Sequence, residues 1–92
     1  NFTLSQNYPN PFNPTTTIEY ALPYESNVRI TVFNILGEKV TDLVNGQKTS
    51  GIHTIHFNAG HLASGIYFYR IEAESLSGIE NFIAVKKLIL LK

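Results

Sequence analysis

Apolar and polar positions alternate in short runs along this chain. Ile18, Tyr20 and Leu22 share one parity, with Glu19 on the other. Val28, Ile30 and Val32 alternate against Arg29 and Thr31, and His53, Ile55 and Phe57 against Thr54 and His56. Tyr67, Tyr69, Ile71 and Ala73 oppose Phe68, Arg70, Glu72 and Glu74. A period of two belongs to an extended strand, whose successive side chains point to opposite faces. The pattern predicts strands over 15–22, 28–32, 38–44, 53–57, 65–74 and 80–92, after an extended lead-in at Phe2, Leu4 and Gln6. The apolar parity switches at Phe33 and Ile35, which predicts a twist or bulge near Phe33.

Turn residues punctuate these runs. Asn7-Tyr8-Pro9-Asn10-Pro11-Phe12-Asn13-Pro14 carries three prolines in six residues, which removes three ladder donors. The segment is expected as an ordered loop or a sheet edge. Pro23 to Asn27 and Ser75 to Gly78 read as turns, and Leu36-Gly37-Glu38-Lys39 as a tight hairpin in which Gly37 takes a positive φ. Asn45 to Gly51 reads as a polar loop, and Asn58 to Gly65 as a loop with room for one helical turn around His61-Leu62-Ala63. No helical period runs for ten residues. Short strands at spacings of ~8–12 residues predict an all-β antiparallel sandwich or barrel of about seven strands.

Composition narrows the picture. Ninety-two residues leave room for one core, so residues 1–92 are expected as a single domain. A hydrophobic share of 43% against 15% charged excludes a disordered chain. Seven basic and seven acidic residues give zero net charge, which argues against nucleic-acid or anionic-membrane binding. The absence of Cys excludes disulfides, thiolate zinc sites and Cys nucleophiles. No signal-peptide pattern occurs, and no apolar run approaches the ~20 residues of a membrane-spanning helix.

Catalytic and metal chemistry find little support. His53 and His56 are an odd number of residues apart on a predicted strand, so they face opposite ways, and His61 lies in a loop. Glu72 and Glu74 lie roughly 7 Å apart on one face, near glycosidase spacings, yet adjacent carboxylates on one strand usually line a solvated face. Gly60-His61-Leu62-Ala63-Ser64-Gly65 lacks the Lys-Ser/Thr ending of a phosphate loop, and no G-x-S-x-G occurs. No catalytic residue, cofactor or metal is therefore assigned. Tyr67 and Tyr69 fit a buried parity; Tyr8 and Phe12 are loop aromatics able to plug the end of a sandwich. The end of the chain stands out: Phe82 to Leu91 is apolar except for Lys86-Lys87. The lysines read either as guards of an edge strand or as part of a handle for a receptor.

These segments carry a resemblance. Asn7 to Pro14 followed by Thr15-Thr16-Thr17-Ile18 resembles the opening of C-terminal sorting domains, type A, of the bacterial type IX (Por) secretion system. Val32-Phe33-Asn34-Ile35-Leu36-Gly37-Glu38-Lys39-Val40 is similar to that family's central hairpin, with Glu38 where Arg is frequent. Leu62 to Ile71 resembles its glycine–tyrosine strand, and Lys86-Lys87-Leu88-Ile89-Leu90-Leu91-Lys92 its lysine-bearing end. The hairpin and glycine–tyrosine segments also resemble immunoglobulin-like domains of flagellar hook-capping proteins; the opening and the end favour the sorting domain.

The resemblance implies an immunoglobulin-like sandwich at the C-terminus of a larger secreted protein. It implies Sec export, recognition by the outer-membrane type IX translocon of a Gram-negative bacterium, and removal by a sortase-like peptidase at the cell surface. Its N-terminal neighbour would be a cargo domain, and the signal peptide would lie at the start of the parent chain. Lys86, Lys87, Leu88, Ile89, Leu90, Leu91 and Lys92 are the implied recognition elements, with Asn10, Pro11, Phe12, Asn13 and Pro14 as a pre-ordered loop. Gly37, Gly65, Tyr67 and Arg70 are expected to serve the fold. The rival is an extracellular immunoglobulin-like module that binds carbohydrate or spaces domains, whose sign is an exposed stripe of Tyr8, Phe12 and Tyr24.

Overall fold

The computed structural model describes residues 1–92 and contains strands and turns without helix. The strands are β1 (Thr3–Leu4), β2 (Thr15–Leu22), β3 (Ser26–Phe33), β4 (Lys39–Lys48), β5 (Gly51–Asn58), β6 (Gly65–Ser75) and β7 (Asn81–Leu90). They pair antiparallel in two sheets of order β1-β2-β5 and β4-β3-β6-β7. The chain changes sheet between β2 and β3, between β4 and β5, and again between β5 and β6. This is an immunoglobulin-like sandwich with β4 on the second sheet.

The core follows the period of two. Ile18, Ile30, Val32, Tyr69 and Ile71 are fully buried between the sheets. Each such side chain contributes roughly 1.5–3 kcal/mol by leaving water. The two tyrosines keep their hydroxyls satisfied: Tyr67 donates to the Ala63 carbonyl at 2.7 Å and Tyr69 to the Ser5 carbonyl at 2.6 Å. The Tyr67 bond, reaching back to the backbone just before β6, is the tyrosine-corner arrangement of immunoglobulin-like sandwiches. Burial pushes the Tyr69 hydroxyl up to about 12, against a smaller lowering by the Asn7 backbone.

The bulge near Phe33 follows the sequence reading, and three other details depart from it. The irregularity expected near Phe33 lies between Val32 and Phe33, with a second between Ile30 and Thr31, and β4 supplies the extra residues Val40 and Leu43. The bulges let Val40, Leu43 and Val44 all pack against the core despite spacings that a regular strand forbids. β4 also runs on to Lys48, because Asn45 and Gly46 pair with Arg29 and Val28; the expected polar loop shrinks to Thr49 and Ser50. The hairpin tip sits one residue early, at Ile35 to Gly37. The Asn34 carbonyl accepts the Gly37 N–H, and Asn34 Oδ1 accepts from Leu36 and Glu38, each at 3.0 Å. Gly37 takes the expected positive φ, +82°. The helical turn expected around His61 is a single reverse turn, closed by the Leu62 N–H on the Ala59 carbonyl at 2.9 Å.

β7 pairs with β6 alone, so it is an edge of the larger sheet. Its even-numbered residues face inward. Leu88 and Leu90 are buried, and Phe82 stacks on Phe2 with ring centroids 5.4 Å apart. Its odd-numbered residues face out, leaving Ile83 and Val85 exposed.

Candidate functional site

Two segments that the sequence keeps far apart meet at one end of the sandwich. The Phe12 N–H donates to the Ile89 carbonyl and the Leu91 N–H to the Phe12 carbonyl, each at 3.0 Å. Phe12 and Leu90 thereby form a parallel bridge on the outer side of β7. Asn10 Oδ1 accepts the Ile89 N–H at 2.9 Å, and Gln6 Nε2 donates to the Lys87 carbonyl at 2.6 Å. An edge strand presents unpaired backbone groups, and here the loop satisfies those at Lys87, Ile89 and Leu91.

The loop can do this because its own polar groups are settled internally. Asn7 and Thr16 are buried. Asn7 Nδ2 donates to Thr16 Oγ1 at 3.0 Å and to the Pro9 carbonyl at 3.2 Å, while Thr16 Oγ1 donates to the same carbonyl at 2.8 Å. Tyr8 exchanges both backbone bonds with Thr17 at 2.9 Å. Phe12 is 2% exposed and packs against Phe57, so it closes the end of the core. Pro9, Pro11 and Pro14 lack the N–H that would otherwise need a partner there.

The tail is anchored further. The Lys92 N–H donates to Ser64 Oγ at 3.0 Å, and Lys92 Nζ donates to the Gly60 carbonyl at 2.6 Å. Leu88 and Leu90 are wholly in the core, whereas Leu91 and Lys92 are exposed and Ile89 is half-buried. Lys87 points outward; Lys86 points inward at the open edge and is half-buried. None of the three lysines forms an ion pair, since the salt bridges are Arg29–Asp42, Lys39–Asp42 and Arg70–Glu72. This end therefore carries positive charge without a carboxylate partner.

The remaining candidates lie elsewhere. Gly65 and Tyr67 stand opposite Leu90 and Leu88 on β6. Gly37 and Arg70 line a groove on the outer face of the larger sheet. Glu72 and Glu74 line a second open groove on that face with Arg29, Asn27, Asn45 and Asn81. His53 faces inward and stacks on Tyr20, while His56 faces outward and meets Thr17 Oγ1 at 3.1 Å. No three His, Cys, Asp or Glu side chains converge as metal ligands. The aromatic stripe of the carbohydrate reading does not form, because Tyr8 is exposed while Phe12 is buried. Sequence reasoning missed Gln6, Asn7, Thr16 and Ser64. The only signal for Asn7 and Thr16 was the density of short polar residues around the prolines; nothing local marked Gln6 or Ser64.

The fold recurs in CopC from Methylosinus trichosporium OB3b, with a TM-score of 0.65 at 14% identity over 98% of this chain and 93% of that one. No curated protein matches the chain. The family described as secretion system C-terminal sorting domain matches residues 6–87, from the start of the loop clamp to Lys87. That match takes in nearly the whole sandwich and the loop that braces its edge, and the chain belongs to this family, the C-terminal sorting domains of the type IX (Por) secretion system.

Proposed function

We propose that residues 1–92 act as a non-catalytic sorting domain at the C-terminus of a longer secreted protein. After Sec export, the type IX translocon of a Gram-negative outer membrane recognises the braced end of the sandwich, and a sortase-like peptidase then removes the domain at the cell surface. The observation that carries this reading is the clamp between Asn10–Phe12 and Ile89–Leu91, which presents Lys87, Leu91 and Lys92 on a rigid frame. A pre-ordered surface loses little conformational entropy on binding, and unpaired lysines offer charge to an acidic receptor. Leu88 and Leu90 support that surface from the core, and the domain's N-terminal neighbour is its cargo.

The test is a fusion of the domain to the C-terminus of a Sec-exported reporter, in a cell with the type IX system. The intact domain is expected to send the reporter outside. Replacing Lys86, Lys87 and Lys92 with Ser leaves the apolar positions untouched and is expected to hold the reporter in the periplasm. Folded protein that is still secreted normally would reduce the lysines to edge guards. Failure of the intact domain to export its reporter would remove the sorting role itself.

A further inference from the structure

The sheet edges are β1 and β5 on one side of the sandwich and β4 and β7 on the other. Folded proteins blunt such edges with short strands, charge, bulges or a covering loop. β1 is two residues long, β4 carries two register irregularities with Lys39, Asp42 and Lys48, and β7 lies under the loop clamp. β5 has no such guard. Gly51–Asn58 holds no Lys, Arg, Asp, Glu or Pro, and it keeps one unbroken register with β2 from end to end. The hydrogen-bond phase shows which of its groups are free. Thr17 exchanges both backbone bonds with Tyr8, and the Glu19 carbonyl accepts from Ser5, so odd residues of β2 turn toward the lead-in and even ones toward β5. Ile18 and Tyr20 stand opposite Ile55 and His53. Ile52, Thr54 and His56 therefore turn their N–H and C=O to the open edge, where no loop bonds to them. Their side chains are exposed as well, Ile52 by 72%.

We infer that this edge pairs with the same edge of a second copy of the chain, antiparallel about a two-fold axis at Thr54. A row of free backbone groups takes an extended strand, and the uncharged surface of β5 offers nothing to a charged one. A second copy fits in both respects. Thr54 meets Thr54, and Ile52 of each copy meets His56 of the other. All these positions carry edge-turned groups, so each pair exchanges two bonds and every free group of Ile52, Thr54 and His56 finds a partner. A Thr–Thr pair and an aliphatic–aromatic pair are favourable cross-strand neighbours. Zero net charge removes general repulsion between copies. The carboxylate nearest in register is Glu19, opposite Thr54 on β2. Its counterpart would lie about three strand spacings away, roughly 14 Å, beyond the ~8 Å screening length at physiological salt. The two smaller sheets then run as one, β1-β2-β5 continuing into β5-β2-β1.

The test uses the 92-residue chain in analytical ultracentrifugation up to about 1 mM, because one strand pair is a small interface and the association is weak. The mass is expected to rise toward the dimer with concentration, and amide exchange at Ile52, Thr54 and His56 to slow with it. Thr54→Lys sets two ammonium groups together at the axis and should weaken the dimer at least tenfold while leaving the circular dichroism spectrum unchanged. The register has its own test, because the chain contains no Cys. Paired Thr54 positions lie about 5.5 Å apart between Cα atoms, within the ~4.4–6.8 Å range of a disulfide. The two Ile52 positions lie roughly 14 Å apart, four residues out of register. Thr54→Cys should therefore oxidise to a linked dimer at least tenfold faster than Ile52→Cys. A chain that stays monomeric at about 1 mM would overturn the inference. So would equal oxidation of the two Cys variants, or a folded Thr54→Lys protein that dimerises like the parent.

Discussion

Asn10 holds Ile89 across 79 residues of chain: its side-chain oxygen accepts the Ile89 N–H at 2.9 Å, on the open edge of β7. The bond converts a polar loop residue into a substitute for the next strand. The loop thereby closes part of the edge that an immunoglobulin-like sandwich leaves exposed, and it fixes the position of the lysine-bearing end.

Asn10→Ala removes that acceptor and leaves the part-buried Ile89 N–H unpaired. The expected loss is about 1–2 kcal/mol. For a domain of this size that lowers Tm by roughly 4–16 °C. Amide exchange should speed up at Ile89 and Leu91 before it does at Ile71. An unchanged Tm would show that water replaces Asn10 at no loss.

Two aromatics of the same loop should separate sharply. Phe12 is 2% exposed and Tyr8 81% exposed. Phe12→Ala should therefore lose about 3–5 kcal/mol, as for other buried aromatic truncations. Tyr8→Ala should stay within about 0.5 kcal/mol of the parent. Denaturant titration reads both. A Tyr8→Ala protein that is stable but poorly secreted would place Tyr8 in the receptor contact.

The Tyr69 hydroxyl ionises near 10 in the unfolded chain and is pushed up to about 12 by burial. The folded state thus favours the protonated form. The resulting stability, about 2–3 kcal/mol, is fully present below pH 10 and is lost as pH rises through 12. Tyr20 is raised in the same direction by its burial. Denaturation midpoints measured from pH 8 to pH 12 should fall steeply above pH 10. Tyr69→Phe should flatten that fall while costing about 1–2 kcal/mol at neutral pH, because the Ser5 carbonyl loses its donor.

Gly37 stands at φ +82° with open space where a Cβ would sit. Gly37→Ala should cost about 1–2 kcal/mol from backbone conformation alone. Gly37→Asn should cost less, since Asn tolerates the left-handed region. Equal losses from both would mean the hairpin shifts its tip.

The strands, their buried parity and the Gly37 turn were legible in the sequence, because alternation and positive-φ glycine act over a few residues of chain. Tyr67 and Tyr69 could be read as core on that basis alone. The likeness of the Asn7–Pro14, hairpin, glycine–tyrosine and lysine segments to one family was legible for the same reason, as each is a local string. What those strings do to one another was not. β4 continues past Val44 because β3 offers a ladder there, and pairing outweighs a turn at Asn45-Gly46. Asn7 and Thr16 become buried only when the prolines fold over the sandwich end. The choice of β7 as an edge, the burial of Leu88 and Leu90 but not Leu91, and the meeting of Asn10 with Ile89 all follow from which strands pair. Non-local pairing is decided by the fit of two faces that the chain brings together only when folded, so no local pattern records it.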